Sequence, residues 1–599
     1  MCGVFGIIGK YNENKAKNAL NKLSHRGPDH CGIVQKERLF FAHQRLSIED
    51  THHRSHQPLK HQNILLSFNG EIYNFKELKR KLDFEFQTQS DSEVIIAAFL
   101  KWGVDFVQHF RGMFAIALLD GDTLYLFRDR LGKKPLFYLN GDSFIFASEI
   151  KALVPYLKKN EMNEDALLSY LSFLAPTPPF TFFKNICTLA AGEYAIYKDN
   201  TLLIQRYYDI LSTRSKIITD SHEAIKSIEK VLEESMVLRL NSDASTASLL
   251  SGGIDSATIN YYAKKQGLNL PTYTLGYKEF TKYDERENAK ATAEFLGIQN
   301  TEVEIDEEMF INASEKVLDT LDQPLNDPAA VPLYLLYEKI KEDGHKVVLS
   351  GEGSDELFLG YRQYFEYLDI ESAGNLAHKN WLKKYFRANF SMNREWEWYK
   401  RVFDDTLLFR TSGESFTDLQ KNALMKRNVK DNASLKYLAD YRERFVNSGH
   451  TDESTWYSYI DLNLFQAEHF LTKLDRVSMA HSIESRTPFL DHKLVETIFS
   501  IDPKLRYEEG ITKSLLKKVM HGKLDERILK RKKKGFANPY MEYLINSKKI
   551  ELIKEVNRQT GLFREEKLDE YIKGAGTGNF KQHIWGLYVL SHWIKKNLL

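Results

Sequence analysis

Two glycine-bearing loops and an amino-terminal cysteine carry the residue types best suited to chemistry in this chain. Ser251-Gly252-Gly253-Ile254-Asp255-Ser256 follows the apolar run Ala247 to Leu250 and precedes a helical pattern from Ile254 to Lys265. A glycine pair lets the backbone turn tightly, and free N–H groups at a helix start can cradle phosphate. Ser350-Gly351-Glu352-Gly353-Ser354-Asp355-Glu356 repeats this build after the strand-like Lys346 to Leu349, leading into a helix expected from Leu357 to Tyr367. Each loop sets a carboxylate, Asp255 or Asp355, at a helix start. Asp and Ser cap helices anywhere, so either loop alone also fits a plain turn. Together, two carboxylates beside a polyphosphate need a bridging cation, and hard oxygen ligands suit Mg²⁺. The usual phosphate loop is excluded, because Gly9-Lys10, Gly132-Lys133 and Gly522-Lys523 lack a following Ser or Thr. Gly351-x-Gly353 is no dinucleotide fingerprint either, since Glu356 takes the third glycine position.

The second centre begins at Cys2. Removal of Met1 would give Cys2 both a thiol and the α-amine, a nucleophile with its own base: an α-amine titrates near ~8 and a thiol near ~8.5. A small apolar residue leading a strand (Val4, Phe5, Ile7, Ile8) is the plainer alternative. Polar clusters at the ends of apolar runs favour chemistry: His25–Asp29, His43–Ile48, Asn69–Asn74 and Ser90-Asp91. They supply what amide cleavage requires. Arg45 could hold a carboxylate bidentately, Asp91 an ammonium, and the Asn69 amide with the Gly70 N–H an oxyanion.

The order Cys2, Arg26-Gly27-Pro28-Asp29, Asn69-Gly70-Glu71, Ser251–Ser256 and Gly351-Glu352-Gly353 resembles glutamine-dependent asparagine synthetases along nearly the whole chain. The first part is similar to class II (N-terminal nucleophile) amidotransferases, the second to ATP-pyrophosphatases. The resemblance implies a four-layer αββα glutaminase, residues 1–210, joined to an α/β parallel-sheet nucleotide domain with a helical C-terminal part, residues 222–599, and an internal ammonia passage. It implies glutamine contacts from Arg45, Asn69, Glu71 and Asp91. ATP contacts would come from Leu250, Ser251, Gly252, Gly253, Asp255, Ser256, Gly276, Ser350 and Gly351, with Mg²⁺ on Asp255 and Asp355. Lys513 would lie near the α-phosphate and Glu352 would accept a proton. Cys2 would form a glutamyl thioester and release ammonia, which displaces AMP from an adenylated carboxylate. Glutamine, ATP and aspartate are the implied substrates, and a homodimer is compatible.

One departure bears on the acceptor. Some relatives carry a Thr-Thr-Ile-Arg-type segment where this chain reads Leu325-Asn326-Asp327-Pro328-Ala329-Ala330-Val331-Pro332. Another branch, which includes enzymes amidating sugar carboxylates, has Asp-Pro there. With no arginine in the segment, an acceptor's carboxylate must find its cation elsewhere; Lys513, Arg476 and Arg486 are candidates.

The elements that must position these residues are legible in outline. Runs such as Thr123–Phe127 and Phe144–Phe146 alternate as strands in stacked sheets do. After an irregular stretch at Asp209–His222, strands and helices alternate: strand Thr272–Gly276, helix Asp284–Leu296, strand Thr301–Ile305, helix Glu307–Leu321. That pattern predicts a parallel sheet with ligands at its strands' carboxyl ends. With 43% hydrophobic and 28% charged residues, the 599-residue chain has sizeable cores. Lys+Arg 83 against Asp+Glu 82 gives no reason to expect a nucleic-acid or membrane surface, although Lys530 to Lys534 is a dense cationic run. Three cysteines suit a reducing compartment, and no signal peptide or 18-residue apolar span is read, so a cytoplasmic protein is expected. His52, His53, His56 and His61 read as a solvated loop, not a metal site.

Overall fold

The computed structural model describes residues 2–212, 216–389, 394–531 and 537–599. The cationic run beyond Arg531 and the following Gly535-Phe536 lie outside the described residues. Two six-stranded antiparallel sheets occupy the first 206 residues. One runs, edge to edge, Ile186–Thr188, Phe137–Asn140, Phe144–Ala147, Gly3–Ile8, Leu39–Arg45, His30–Lys36. The other runs Thr201–Arg206, Glu193–Lys198, Thr123–Arg128, Gly112–Asp120, Ile64–Ile72, Leu59–His61.

Strand alternation builds the layers. Phe5, Ile7, Phe40 and Ala42 turn outward to meet Ala16, Ala19 and Leu20 of helix Glu13–Asn21. Ile64, Leu66 and Phe68 meet Val94, Ile95 and Ala98 of helix Ser92–Trp102. The opposite faces, with Val4, Phe41, Leu65, Ala117 and Phe146, pack the sheets against each other. Helix, sheet, sheet, helix is the αββα order expected. Within the first sheet the Phe146 ring lies over its cross-strand partner Gly6, where a Cβ would stand 2.3 Å from the ring.

The second half is wound on five parallel strands in the order Asn300–Ile305, Thr272–Tyr277, Thr246–Leu249, Val347–Leu349, Glu484–Arg486. The chain goes one way from Thr246–Leu249 and returns to its other side at Val347–Leu349, so the two glycine loops leave neighbouring strands where the order reverses. Open α/β sheets bind ligands at such a point. The last strand comes from the helical C-terminal part, where no strand was expected; three buried residues are too few to show a period.

The expected helix from Leu357 to Tyr367 is broken. Ser354–Leu357 ends, Leu359 takes a left-handed φ of 51°, and a new helix starts at Arg362. The break lets Gly360 lie against Asp355 and Lys513, where a Cβ would come within 2.0 Å and 2.4 Å of their side chains.

Buried ion pairs join the halves. Arg26 meets Asp475 at 2.8 Å, Arg111 meets Asp491 at 2.8 Å, and Arg476 meets Glu149 at 3.0 Å. Breaking one such pair typically costs about 3–5 kcal/mol, because it strands the other charge.

Candidate active sites

Cys2 precedes strand Gly3–Ile8 and is 8% exposed. Leu65, Ser67 and Asn69 alternate onto the inward face of Ile64–Ile72, so the Asn69 side chain reaches across to the first strand. The Cys2 N–H donates to Asn69 Oδ1 at 2.9 Å, and Asn69 Nδ2, buried, has no hydrogen-bond partner among the described residues. A buried amide donor without a partner beside a nucleophile is suited to a developing oxyanion. Burial pushes the Cys2 thiol up, against the pull of a contact to the Leu46 carbonyl and of Arg45. The thiol therefore needs a base. Gly70 sits at φ 154°, with the Met113 carbonyl 2.0 Å from where a Cβ would be, so no side chain fits.

Arg26, missed as a positioning group by sequence reasoning, donates from Nε to the Cys2 carbonyl at 3.0 Å and from its other nitrogens to Glu149 and Asp475. Arg45 also meets the backbone of the loop that follows its strand. Its Nη1 donates to the His52 carbonyl at 3.0 Å and its Nη2 to the Asp50 carbonyl at 2.6 Å. The guanidinium thus fastens the Glu49–His52 loop. His52 enters only through this carbonyl, and no group of three metal-capable side chains occurs among the described residues. Asp91 accepts from the Ile72 N–H at 2.8 Å. Glu71 is buried 3.6 Å from Arg486 of the other half.

Burial lifts the Asp91 carboxyl to about 6, with Glu484 adding to the rise. An ammonium pairs only with the ionised form, so if Asp91 holds the glutamine ammonium the sign is set: binding is full above that value and lost as pH falls through it. The glutaminase KM for glutamine should be flat near pH 8 and climb about tenfold per unit below pH 6. A KM unchanged down to pH 5 would remove Asp91 from ammonium recognition.

In the second site the loops come together as their strands do. A Cβ on Gly351 would lie 3.1 Å from the Asp255 Cβ, and the Ser354 hydroxyl donates to Asp255 Oδ1 at 2.6 Å. Neither aspartate caps its helix. Both instead face Lys513, which donates to Asp255 Oδ2 and lies 2.7 Å from Asp355 Oδ1. Lys513, 4% exposed, is left-handed at φ 55° and heads helix Ser514–Met520. Its two carboxylates hold its ammonium above the ordinary lysine range although burial opposes them. Leu250 and Ser251 follow the strand, Gly252 turns at φ 70°, and the Ser256 hydroxyl ties the loop by accepting from the Ser251 N–H at 3.1 Å. Ser350 is held in line by its N–H to the Arg486 carbonyl at 2.9 Å. Gly276 lies one strand away, its open side covered by Arg286, whose Nε would be 2.1 Å from a Cβ there.

Glu352 shares the second loop. Burial raises its carboxyl, Asp327 and Asp355 add to that, and Lys473 opposes it. Lys473 was not singled out from sequence; a lysine among the buried residues of Leu471–Met479 was the available signal. Between the two centres a small cavity is lined by Met113, Lys134, Leu471, Leu474, Ser485 and Thr487. Met113 pairs across the sheet with Glu71, and Ser485 with Val348, so this void lies between the two sites.

A cysteine-centred amidase site fused to a nucleotide-type parallel sheet defines a glutamine-dependent ligase. A glutamine amidotransferase domain family matches residues 1–208, and the asparagine synthase family matches residues 227–595. Asparagine synthetase [glutamine-hydrolyzing] 1 of Bacillus subtilis is 32% identical over 96% of this chain and 91% of its own. A putative asparagine synthetase of Mycobacterium tuberculosis is 30% identical over 90% and 86%. Asparagine synthetase 3 of B. subtilis is 28% identical over 90% and 87%. The chain belongs to the glutamine-hydrolysing asparagine synthetase family and is an ATP-using ligase of that type.

Proposed function

We propose that this enzyme converts aspartate to asparagine, with glutamine as nitrogen donor and ATP cleaved to AMP and pyrophosphate. The observation supporting this most directly is Lys513 between Asp255 and Asp355, with Glu352 on the same loop as Asp355, where two parallel strands end. The Cys2 thiol attacks the glutamine carboxamide carbon, the Cys2 α-amine takes the thiol proton, and Asn69 Nδ2 with the Gly70 N–H receives the oxyanion. Collapse to a thioester passes that proton to the departing ammonia, and water then releases glutamate. In the second site the acceptor's carboxylate displaces pyrophosphate from ATP, forming an acyl-adenylate. Lys513 stabilises charge on the leaving group. Ammonia attacks the acyl carbon, AMP leaves, and Glu352 takes the surplus proton.

Asp255 and Asp355 fit Mg²⁺, which takes one or two carboxylates together with substrate phosphates. When bound it would offset phosphate charge there. We take residues 1–210 as the glutaminase and 222–599 as the synthetase, with ammonia crossing by way of the Met113–Leu474 cavity. Among the described residues no helix is long and apolar enough to cross a membrane; a cytoplasmic setting suits the three free cysteines.

Glutamine labelled with ¹⁵N in the amide, with ATP, Mg²⁺ and aspartate, should yield ¹⁵N-asparagine and one AMP per asparagine. AMP formation dependent on a uronic acid, with no labelled asparagine, would move the enzyme to sugar-carboxylate amidation. ADP as product would defeat the adenylate.

A further inference from the structure

The three cations available from sequence to meet an acceptor's carboxylate are all engaged. Lys513 holds Asp255 and Asp355. Arg476 is 3.0 Å from Glu149 and 3.5 Å from Asp322. Arg486 is bound to Glu484 at 2.6 Å and to two backbone carbonyls. Lys473 is placed otherwise. Its ammonium, on a side chain only 4% exposed as a residue, has one hydrogen bond among the described residues, to Asp327 Oδ2 at 2.7 Å. Asp327, 7% exposed, uses its other oxygen for the Ala329 N–H at 2.9 Å. Both influence the Glu352 carboxyl on the nucleotide loop, so the pair adjoins the reacting centre.

The helix bearing Lys473 is built for this placement. Asp461–Phe470 is wound as a π-helix between Glu453–Ile460 and Leu471–Met479. The wider turn is uncommon and tends to mark functional positions. It brings fully buried Gln466 to Glu352, whose carboxyl its side chain steadies, and leaves His469 Nδ1, also buried, without a hydrogen-bond partner among the described residues. A buried imidazole nitrogen is rarely left so; a polar ligand would satisfy it.

We propose that Lys473 and Asp327 are the acceptor's recognition pair, Lys473 for the α-carboxylate and Asp327 for the α-ammonium of an amino acid. This rests on the function proposed above and adds the reason for its acceptor class. A zwitterion opens the Lys473–Asp327 pair and replaces one buried ion pair by two, with no uncompensated charge. A sugar acid has no ammonium, so its carboxylate on Lys473 strands Asp327 as a buried anion, which is strongly unfavourable. The pair therefore selects amino acids over sugar acids.

The test uses ammonium as nitrogen source, so that the glutaminase is not involved, and follows AMP formation by the full-length enzyme. Lys473→Met should raise the KM for aspartate about 30-fold or more, a factor in keeping with loss of a charged contact, while the KM for ATP stays within about threefold. Lys473→Arg should recover part of the loss. Asp327→Asn should narrow the preference for aspartate over succinate, which lacks the ammonium, as an inhibitor. Unchanged glutaminase turnover in each preparation reports an intact fold; should Lys473→Met fail that check, Lys473→Arg and Asp327→Asn decide. A fall in kcat with the aspartate KM unmoved, or an unchanged succinate preference, would reduce the pair to a structural ion pair and overturn the inference. If the wild type itself makes no asparagine, the proposed function fails instead, and that control separates the two.

Discussion

Replacing Cys2 with alanine should abolish glutamine-driven synthesis and leave ammonium-driven synthesis intact. Alanine fits the site: the thiol's polar contact is a 3.9 Å approach to the Leu46 carbonyl, and the hydrogen bond to Asn69 comes from the Cys2 nitrogen, which alanine keeps. The loss is therefore chemical. Nucleophiles that act as part of a unit cost roughly 10⁴-fold or more in rate when removed. Nothing in the Asp255–Lys513–Asp355 cluster depends on the thiol. AMP formation measured with glutamine, then with ammonium, separates the two. Glutamine-driven turnover near the wild-type rate in the variant would end the assignment of Cys2.

The converse result should follow at Lys513. Lys513→Met leaves Asp255 and Asp355 facing each other and the nucleotide phosphates without their shared cation. It should abolish AMP formation with either nitrogen source, by about 10³-fold or more, since electrostatic stabilisation of a leaving group is commonly worth several kcal/mol. Glutamine hydrolysis should persist. Lys513→Arg should rescue little, because Gly360 packs against the lysine stem and a guanidinium needs more room. Gly360→Ala serves as the geometric counterpart: its methyl would press on the Asp355 carboxylate and Lys513 Cε, so it should depress AMP formation with all charges retained. AMP formation near the wild-type rate in Lys513→Met would remove the lysine from the chemistry.

The elements carrying the chemistry were largely readable from local pattern. The helix after the first glycine loop runs Ile254–Lys265 as its periodicity indicates, and the strands at Thr272, Asn300 and Val347 lie within a residue of where composition put them. Alternation also foretold two-faced strands at Thr123 and Phe144. Where a local rule was overridden, a distant contact explains it. The apolar run through Leu357–Tyr367 reads as one helix, but Lys513 must enter beside Asp355, and the chain breaks at Leu359-Gly360 to admit it. Arg45 reads as a carboxylate clamp, and no local pattern foretells that the loop after its strand folds back onto the guanidinium.

The sequence by itself determined the local inventory: a thiol able to share its residue with an α-amine, two glycine loops with carboxylates at helix starts, and strand periods that require stacked and parallel sheets. These follow from spacing of at most a few residues, where chain geometry alone decides which groups meet. Only the tertiary structure decided which charges meet across the chain. Lys513 reaches Asp255 over 258 residues, Arg26 reaches Asp475 over 449, and Lys473 reaches Asp327 over 146. No periodicity encodes such separations. Partners are chosen because a buried charge must be compensated, and which opposite charge stands within reach is fixed only once the sheets, the π-helix and the two halves have packed.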